Sequence, residues 1–169
     1  MAVADIGAGT GLFTRLFAME VGPRGKVYAV DISRPFIENI ERVNRELGIN
    51  NVEGIVNSAK TASLPSNSID LAFITDNYHH FEYPASMLAS IRHSLRRGGK
   101  MVDIDFLRDP AVSSNWVMCH VRADRNRVIQ EITDTGFRFI EEKPILRSNY
   151  FLVFEKTPEW STKYLCEVI

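Results

Sequence analysis

The run VADIGAGTG, Val3 to Gly11, is the strongest constraint on how this chain folds. Apolar Val3–Ile6 reads as a short buried strand, and glycines at positions 7, 9 and 11 close it. Glycine between a strand and a helix permits a tight turn and a close approach of backbone to a ligand. Leu12–Glu20 then has helical spacing, with Leu12, Leu16 and Met19 expected on its apolar face and Thr10 as its cap. A strand, a glycine turn and a helix in that order start a β-α-β unit, and so commit the chain to a parallel sheet.

The alternation continues. Gly22-Pro23-Arg24-Gly25 is a turn, and Lys26–Ile32 is a second strand carrying Asp31 near its end. Ser33 is the expected cap of a helix that has Pro35 in its first turn, reaches Leu47 and stops at Gly48. Val52–Asn57 and Ile69–Thr75 read as strands three and four. Pro84–Arg97 reads as a helix with Met87, Leu88, Ile91 and Leu95 on its apolar face, stopped by Gly98-Gly99. Lys100–Phe106 is strand five, followed by a loop with Trp116, His120 and Arg122. Asp124–Thr135 is a helix stopped by Gly136, and Phe137–Glu142 and Asn149–Glu155 are two strands with no helix between them, expected to pair antiparallel at the sheet edge. The expected fold is α/β: a Rossmann-like sheet of seven strands, mostly parallel with an antiparallel last strand, and helices on both faces.

In such a sheet, ligands bind beyond the carboxyl ends of the strands. Gly7–Gly11, Asp31, Asn57–Lys60, Asp76–Phe81 and Asp105 all follow those ends and are expected to line one crevice. The dinucleotide fingerprint GxGxxG requires a third glycine at position 12, which is Leu12. The spacing therefore suits a ligand without a pyrophosphate, and Asp31 is placed to accept hydrogen bonds from both hydroxyls of a ribose.

Composition narrows the function classes. Hydrophobic residues make up 45% and charged residues 24% of 169 residues, as in one ordinary globular domain. A net charge of −1 gives no bulk attraction to nucleic acid or an acidic membrane surface. Cys119 and Cys166 stand far apart and match neither a disulfide scaffold nor a zinc spacing. No apolar run approaches the ~20 residues of a membrane span, and a signal peptide is not expected, since the first strand is read from residue 2. Cytoplasmic placement and a monomer or homodimer are expected.

VADIGAGTG together with VYAVDIS resembles the first two motifs of class I S-adenosylmethionine-dependent methyltransferases. The chain is similar in particular to the methyltransferase type 11 branch that includes ubiquinone and menaquinone biosynthesis enzymes. LPSNSIDLAFITDNYHHF resembles the fourth-strand motif of that branch, and SIRHSLRRGGKMVDIDF its helix, glycine turn and fifth strand. YHHF at Tyr78–Phe81 and HVRA at His120–Ala123 are similar to segments of one bacterial subgroup. The resemblance implies one methyltransferase domain over residues 1–169, lacking the helical segment that usually precedes the first strand. It implies S-adenosylmethionine as cofactor and S-adenosylhomocysteine as product.

By that resemblance, Asp5, Gly7, Ala8, Gly9, Thr10 and Gly11 surround the methionine part of the cofactor. Asp31 holds the ribose, Ile32 packs on the adenine, and Asp76 lies in the same crevice. Ser58, followed by Ala59, stands where many members carry an acid for the adenine amine. The implied reaction is methyl transfer to a small-molecule acceptor; the alternative is a non-catalytic S-adenosylmethionine-binding or interaction protein with the same fold. His80, His79 and His120 are the candidate bases, His80 first. His93 lies off the apolar helix face and reads as a solvated surface residue. Tyr78, Arg122, Asp105 and Tyr150 are candidate acceptor contacts, with Arg122 suited to a carboxylate or phosphate. Asp103 and Asp105 are expected on opposite sides of strand five. No metal is expected, because adjacent histidines on an extended segment point to opposite sides.

Overall fold

A computed structural model of the chain describes residues 1–158; Cys166 lies outside the described residues. Among the described residues the seven strands are β1 (Ala2–Ile6), β2 (Lys26–Asp31), β3 (Val52–Val56), β4 (Ile69–Thr75), β5 (Leu95–Phe106), β6 (Phe137–Glu142) and β7 (Asn149–Lys156). They form one sheet in the order β3-β2-β1-β4-β5-β7-β6. The first five pair parallel, whereas β7 runs antiparallel between β5 and β6. β6 and β7 follow each other without a helix, and a short connection can only return antiparallel.

Among the described residues the five α-helices are α1 (Leu12–Val21), α2 (Arg34–Glu46), α3 (Pro84–Ser94), α4 (Asn115–His120) and α5 (Arg125–Thr133). Every residue of β1 is buried, as required of a central strand covered on both faces. Alternate residues feed two cores. Ala4, Ile6, Val30, Ala72 and Ile74 join the larger one with Leu88 and Ile91 of α3 and Val128 and Ile132 of α5. Ala8 and Ala29 pack with Ile37 and Ile40 of α2 in the smaller one.

Several elements differ from the sequence reading. Leu12, Leu16 and Met19 are exposed, and α1 instead buries Thr14 and Ala18. Phe13 and Phe17, also four residues apart, pack on Phe73 of β4 at 5.1 and 4.9 Å between ring centroids. Both stripes have helical spacing, and the partner ring on β4 selects one. Thr10 does not cap α1: Gly11 occupies that position in the left-handed region, without a side-chain cap. Ser33 does sit at the N-cap of α2, but its side chain makes no cap bond. α3 ends at Ser94, because Leu95 is already extended and pairs with Ile69, so Gly98-Gly99 lies inside β5 rather than closing the helix. α4 occupies part of the expected loop, with the Ser114 hydroxyl accepting from the Val117 amide.

One buried polar link joins α1 to the sheet. Thr14 Oγ1 donates to Asp5 Oδ2 at 2.6 Å, and Asp5 is 1% exposed. Burial pushes the Asp5 carboxyl up to about 6 from 3.8, and the hydrogen bond from Thr14 opposes the rise only in part. Its proton is thus held more tightly folded than unfolded, so the associated stability is present at low pH and is lost as pH rises through about 6. Between pH 4 and 7, urea unfolding is expected to show the wild type losing on the order of 3 kcal/mol relative to Asp5→Asn. A pH-independent difference between the two proteins would contradict this account.

Candidate active site

Strand order reverses between β1 and β4, which pair through Ile6 and Ile74. The loop after β1 and the loop after β4 diverge there and leave a cleft of about 220 Å³. Ile6, Gly7, Asp31, Ile32, Asn57, Ser58, Ala59, Asn77, His80, Phe81, Glu82 and Met87 line it. The volume is below the ~300–1,000 Å³ usual for small-molecule pockets, so the cleft is an open trough rather than an enclosed cavity.

Asp31 anchors one wall. Its Oδ2 accepts from the Gly9 amide at 2.9 Å and its Oδ1 from the Ser33 amide at 2.8 Å. Each oxygen keeps a lone pair for a ligand hydroxyl. Ile32, next in the chain, is 63% exposed and offers a bare apolar surface beside the carboxylate. Ser58 Oγ accepts from the Lys60 amide at 3.3 Å and lies on the third side. Gly7 has φ +78°, and a Cβ there collides with the Asn77 side chain, so this turn requires glycine twice over. Gly11 has φ +79°, and a Cβ would lie 2.7 Å from Ile40.

Of the residues expected around a cofactor, Gly7, Asp31, Ile32, Ser58 and Ala59 line the cleft. The others stand behind it. Asp5 is beneath the loop on Thr14, Ala8 packs into the α2 core, and the Gly9 amide orients Asp31. Thr10 is exposed and its carbonyl accepts from Arg15. Asp76, at φ +46°, turns its carboxylate away, where Oδ1 accepts from the Asn149 side-chain Nδ2 at 3.0 Å. Asn57 and Asn77 line the cleft as members of the segments expected there, whereas Glu82 and Met87 lie outside those segments. Asn77 sits in the DNYHHF segment after β4, and Met87 reads in sequence as core.

At the end of the cleft, three imidazoles gather, that of His80 among them. Tyr78–His80 forms one 3-10 turn, so the backbone bends where an extended segment was expected. The His79 and His80 rings consequently lie on the same side, 4.0 Å apart. His120, from the end of α4, lies 5.0 Å from His79 and 5.1 Å from His80. Trp116, one turn earlier on α4, stacks on His120 at 4.5 Å. His79 is almost buried; its Nδ1 meets the Asp105 carboxylate at 2.8 and 2.9 Å, and its amide donates to Asp105 at 3.0 Å. Partial burial and the neighbouring His79 and His120 hold the His80 imidazole below its usual pKa, which favours its neutral form. His93 is exposed on α3, away from this group.

The acceptor candidates are rearranged. Asp103 and Asp105 share one face of β5, and both are fully buried. Residues two apart on a strand point the same way, so the pair shares a face and does not split across the sheet as expected. Burial and the adjacent Asp105 raise the Asp103 carboxyl well above the carboxylate range. Tyr150 is buried in the main core beside Asp103. Tyr78 is fully buried as well, and its hydroxyl donates to Glu131 at 3.0 Å. Arg122 pairs with both oxygens of Glu131, at 3.0 and 2.7 Å, and lies over the Tyr78 ring. Its fork is committed within the protein.

Comparison with known proteins gives the family and the fold. A family described as methyltransferase domain matches residues 3–99. A ubiquinone/menaquinone biosynthesis C-methyltransferase of Cupriavidus taiwanensis is 31% identical over 109 residues, covering 62% of this chain and 42% of that protein. The Shewanella frigidimarina protein of the same name is 31% identical over 107 residues, covering 63% and 43%. The chain thus spans about two fifths of these relatives' length. Among solved structures, an S-adenosylmethionine-dependent methyltransferase from Aquifex aeolicus superposes with TM-score 0.83 at 21% identity, over 92% of this chain and 81% of that one. The 4+2 cyclase SpnF superposes at 0.80 with 14% identity, over 92% and 74%. These last two likenesses concern the fold.

Asp105 holds the histidine group in place. Asp105→Ala leaves the His79 amide, His79 Nδ1 and the Phe106 amide, which donates at 2.8 Å, without their acceptor. A loss of about 3 kcal/mol or more in unfolding free energy is expected from urea titration, since each of the three orphaned donors costs roughly 1–3 kcal/mol. An unchanged midpoint would show that solvent replaces the carboxylate.

Proposed function

The chain belongs to the methyltransferase-domain family, in its class I S-adenosylmethionine-dependent group, and from that membership we propose that it methylates a small-molecule acceptor. One observation carries the cofactor assignment: the Asp31 carboxylate, pinned by the Gly9 and Ser33 amides, opens onto the cleft between Gly7 and Ile32. A pair of neighbouring ribose hydroxyls can donate to its free lone pairs, and Ile32 offers an apolar platform to an adenine. The residues present thus fit S-adenosylmethionine.

When bound, S-adenosylmethionine supplies an electrophilic methyl on sulfonium sulfur. The chain's own task is alignment and removal of water. His80 and Phe81 form the wall of the cleft that continues from the β4 loop, the side left to an acceptor. A neutral His80 there takes a proton from an acceptor hydroxyl or acidic carbon as the methyl arrives. His79, fixed on Asp105, and His120 flank it and position it. The size of the trough and the net charge of −1 support a small molecule over nucleic acid. Relatives named for carbon methylation in quinone biosynthesis support the same class. Among the described residues, no helix is long and apolar enough to cross a membrane.

Calorimetry with S-adenosylhomocysteine tests the cofactor assignment. Asp31→Ala is expected to weaken binding by roughly 1–3 kcal/mol through loss of the ribose hydrogen bonds; an unchanged dissociation constant refutes it. A methylation screen against metabolite extracts tests the reaction. His80→Ala is expected to lower turnover severalfold or more while leaving cofactor affinity within about twofold, in line with the usual size of general-base effects. Binding without turnover across a broad acceptor panel would instead identify a non-catalytic binder.

A further inference from the structure

We propose that His79, His80 and His120 bind one divalent transition-metal ion, with an open coordination position toward the cleft. One ligand nitrogen from each of the three lies within 4.8 Å of the others. Tetrahedral coordination at about 2.0–2.1 Å places such nitrogens about 3.3 Å apart. His80 and His120 are exposed, so their rings have room to close that difference, whereas buried His79 is the fixed point.

His79 is already prepared as a ligand. Its Nδ1 is held by both oxygens of Asp105, which leaves Nε2 with the free lone pair. A ligating histidine whose other nitrogen donates to a carboxylate is the usual outer arrangement of a metal site, and that carboxylate also offsets the charge of the ion. Trp116 on His120 and Phe106 beside His79, at 5.8 Å, wall the group with rings and restrict the histidine orientations. Three imidazoles without a thiolate suit Zn²⁺ and its neighbours in the first transition row rather than Mg²⁺ or Ca²⁺. His80 lines the cleft, so the fourth position faces the space assigned to an acceptor. Such an ion would lower the pKa of a water or acceptor hydroxyl in that position, with the proton passing to solvent, and in the metal-bound state His80 would serve as ligand in place of the base role proposed above. The binding itself does not depend on the methyl-transfer reading.

The test uses untagged full chain, treated with chelator and then titrated with Zn²⁺ by calorimetry and with Co²⁺ by visible absorption. One ion per chain is expected, with a Co²⁺ spectrum of four-coordinate type. His120→Ala is expected to lower Zn²⁺ affinity at least tenfold, and Asp105→Asn ten- to a hundredfold, the usual cost of losing an outer partner. Cys119→Ser, which changes the exposed thiol beside His120, is expected to leave affinity unchanged. S-adenosylhomocysteine titration of His120→Ala reports whether the fold and cofactor site persist, and so separates failure of this proposal from failure of the methyltransferase reading. No stoichiometric binding to the wild type, or equal affinity in His120→Ala, overturns the site.

Discussion

The reversal of strand order between β1 and β4 is the constraint on which the site depends. Parallel strands need crossovers, and crossovers have one hand, so a chain that builds outward from β1 in both directions sends its helices to opposite faces. The loops leaving Ile6 and Thr75 must part, and no packing closes the gap they leave. Gly7, Asp31, Ser58 and His80 come from the ends of four different strands, yet they share one trough for this reason.

Buried carboxylates then tie the machinery to the sheet, each in its own way. Asp5 receives the Thr14 hydroxyl and fixes the start of α1 beneath the glycine turn. Asp31 receives two loop amides and keeps its remaining capacity facing outward. Asp105 receives two backbone amides and the His79 ring, so that a strand, the turn after β4 and the histidine group become one unit. Asp103, on the same face with Tyr150 for company, is driven toward its protonated form. Placing acids this deep costs stability unless each is paired or neutralised. Their partners belong to the elements that surround the cleft, and so the cost serves its geometry.

Sequence reasoning located the loops better than the side chains. The residues after the carboxyl ends were legible because a parallel sheet puts all those ends on one side. The buried face of α1 was not, because Leu12-Leu16 and Phe13-Phe17 have the same spacing and only Phe73 distinguishes them. Arg122 looked available because its partner Glu131 lies nine residues away, across a helix start. The neighbouring histidines looked divergent because the 3-10 turn that unites them has no glycine or proline to announce it.

By itself, the sequence determined the α/β alternation, the glycine turn at Gly7–Gly11 and the acid at Asp31, because short-range periodicity and backbone freedom are written residue by residue. It also determined the family, through motifs that keep their order along the chain. The tertiary structure alone decided which side chains of those motifs face the cleft. It turned Asp5 and Asp76 away, engaged Arg122 with Glu131, and brought His120 to His79 and His80. Those choices rest on contacts between residues tens of positions apart. Such contacts exist only once the sheet has fixed the distances.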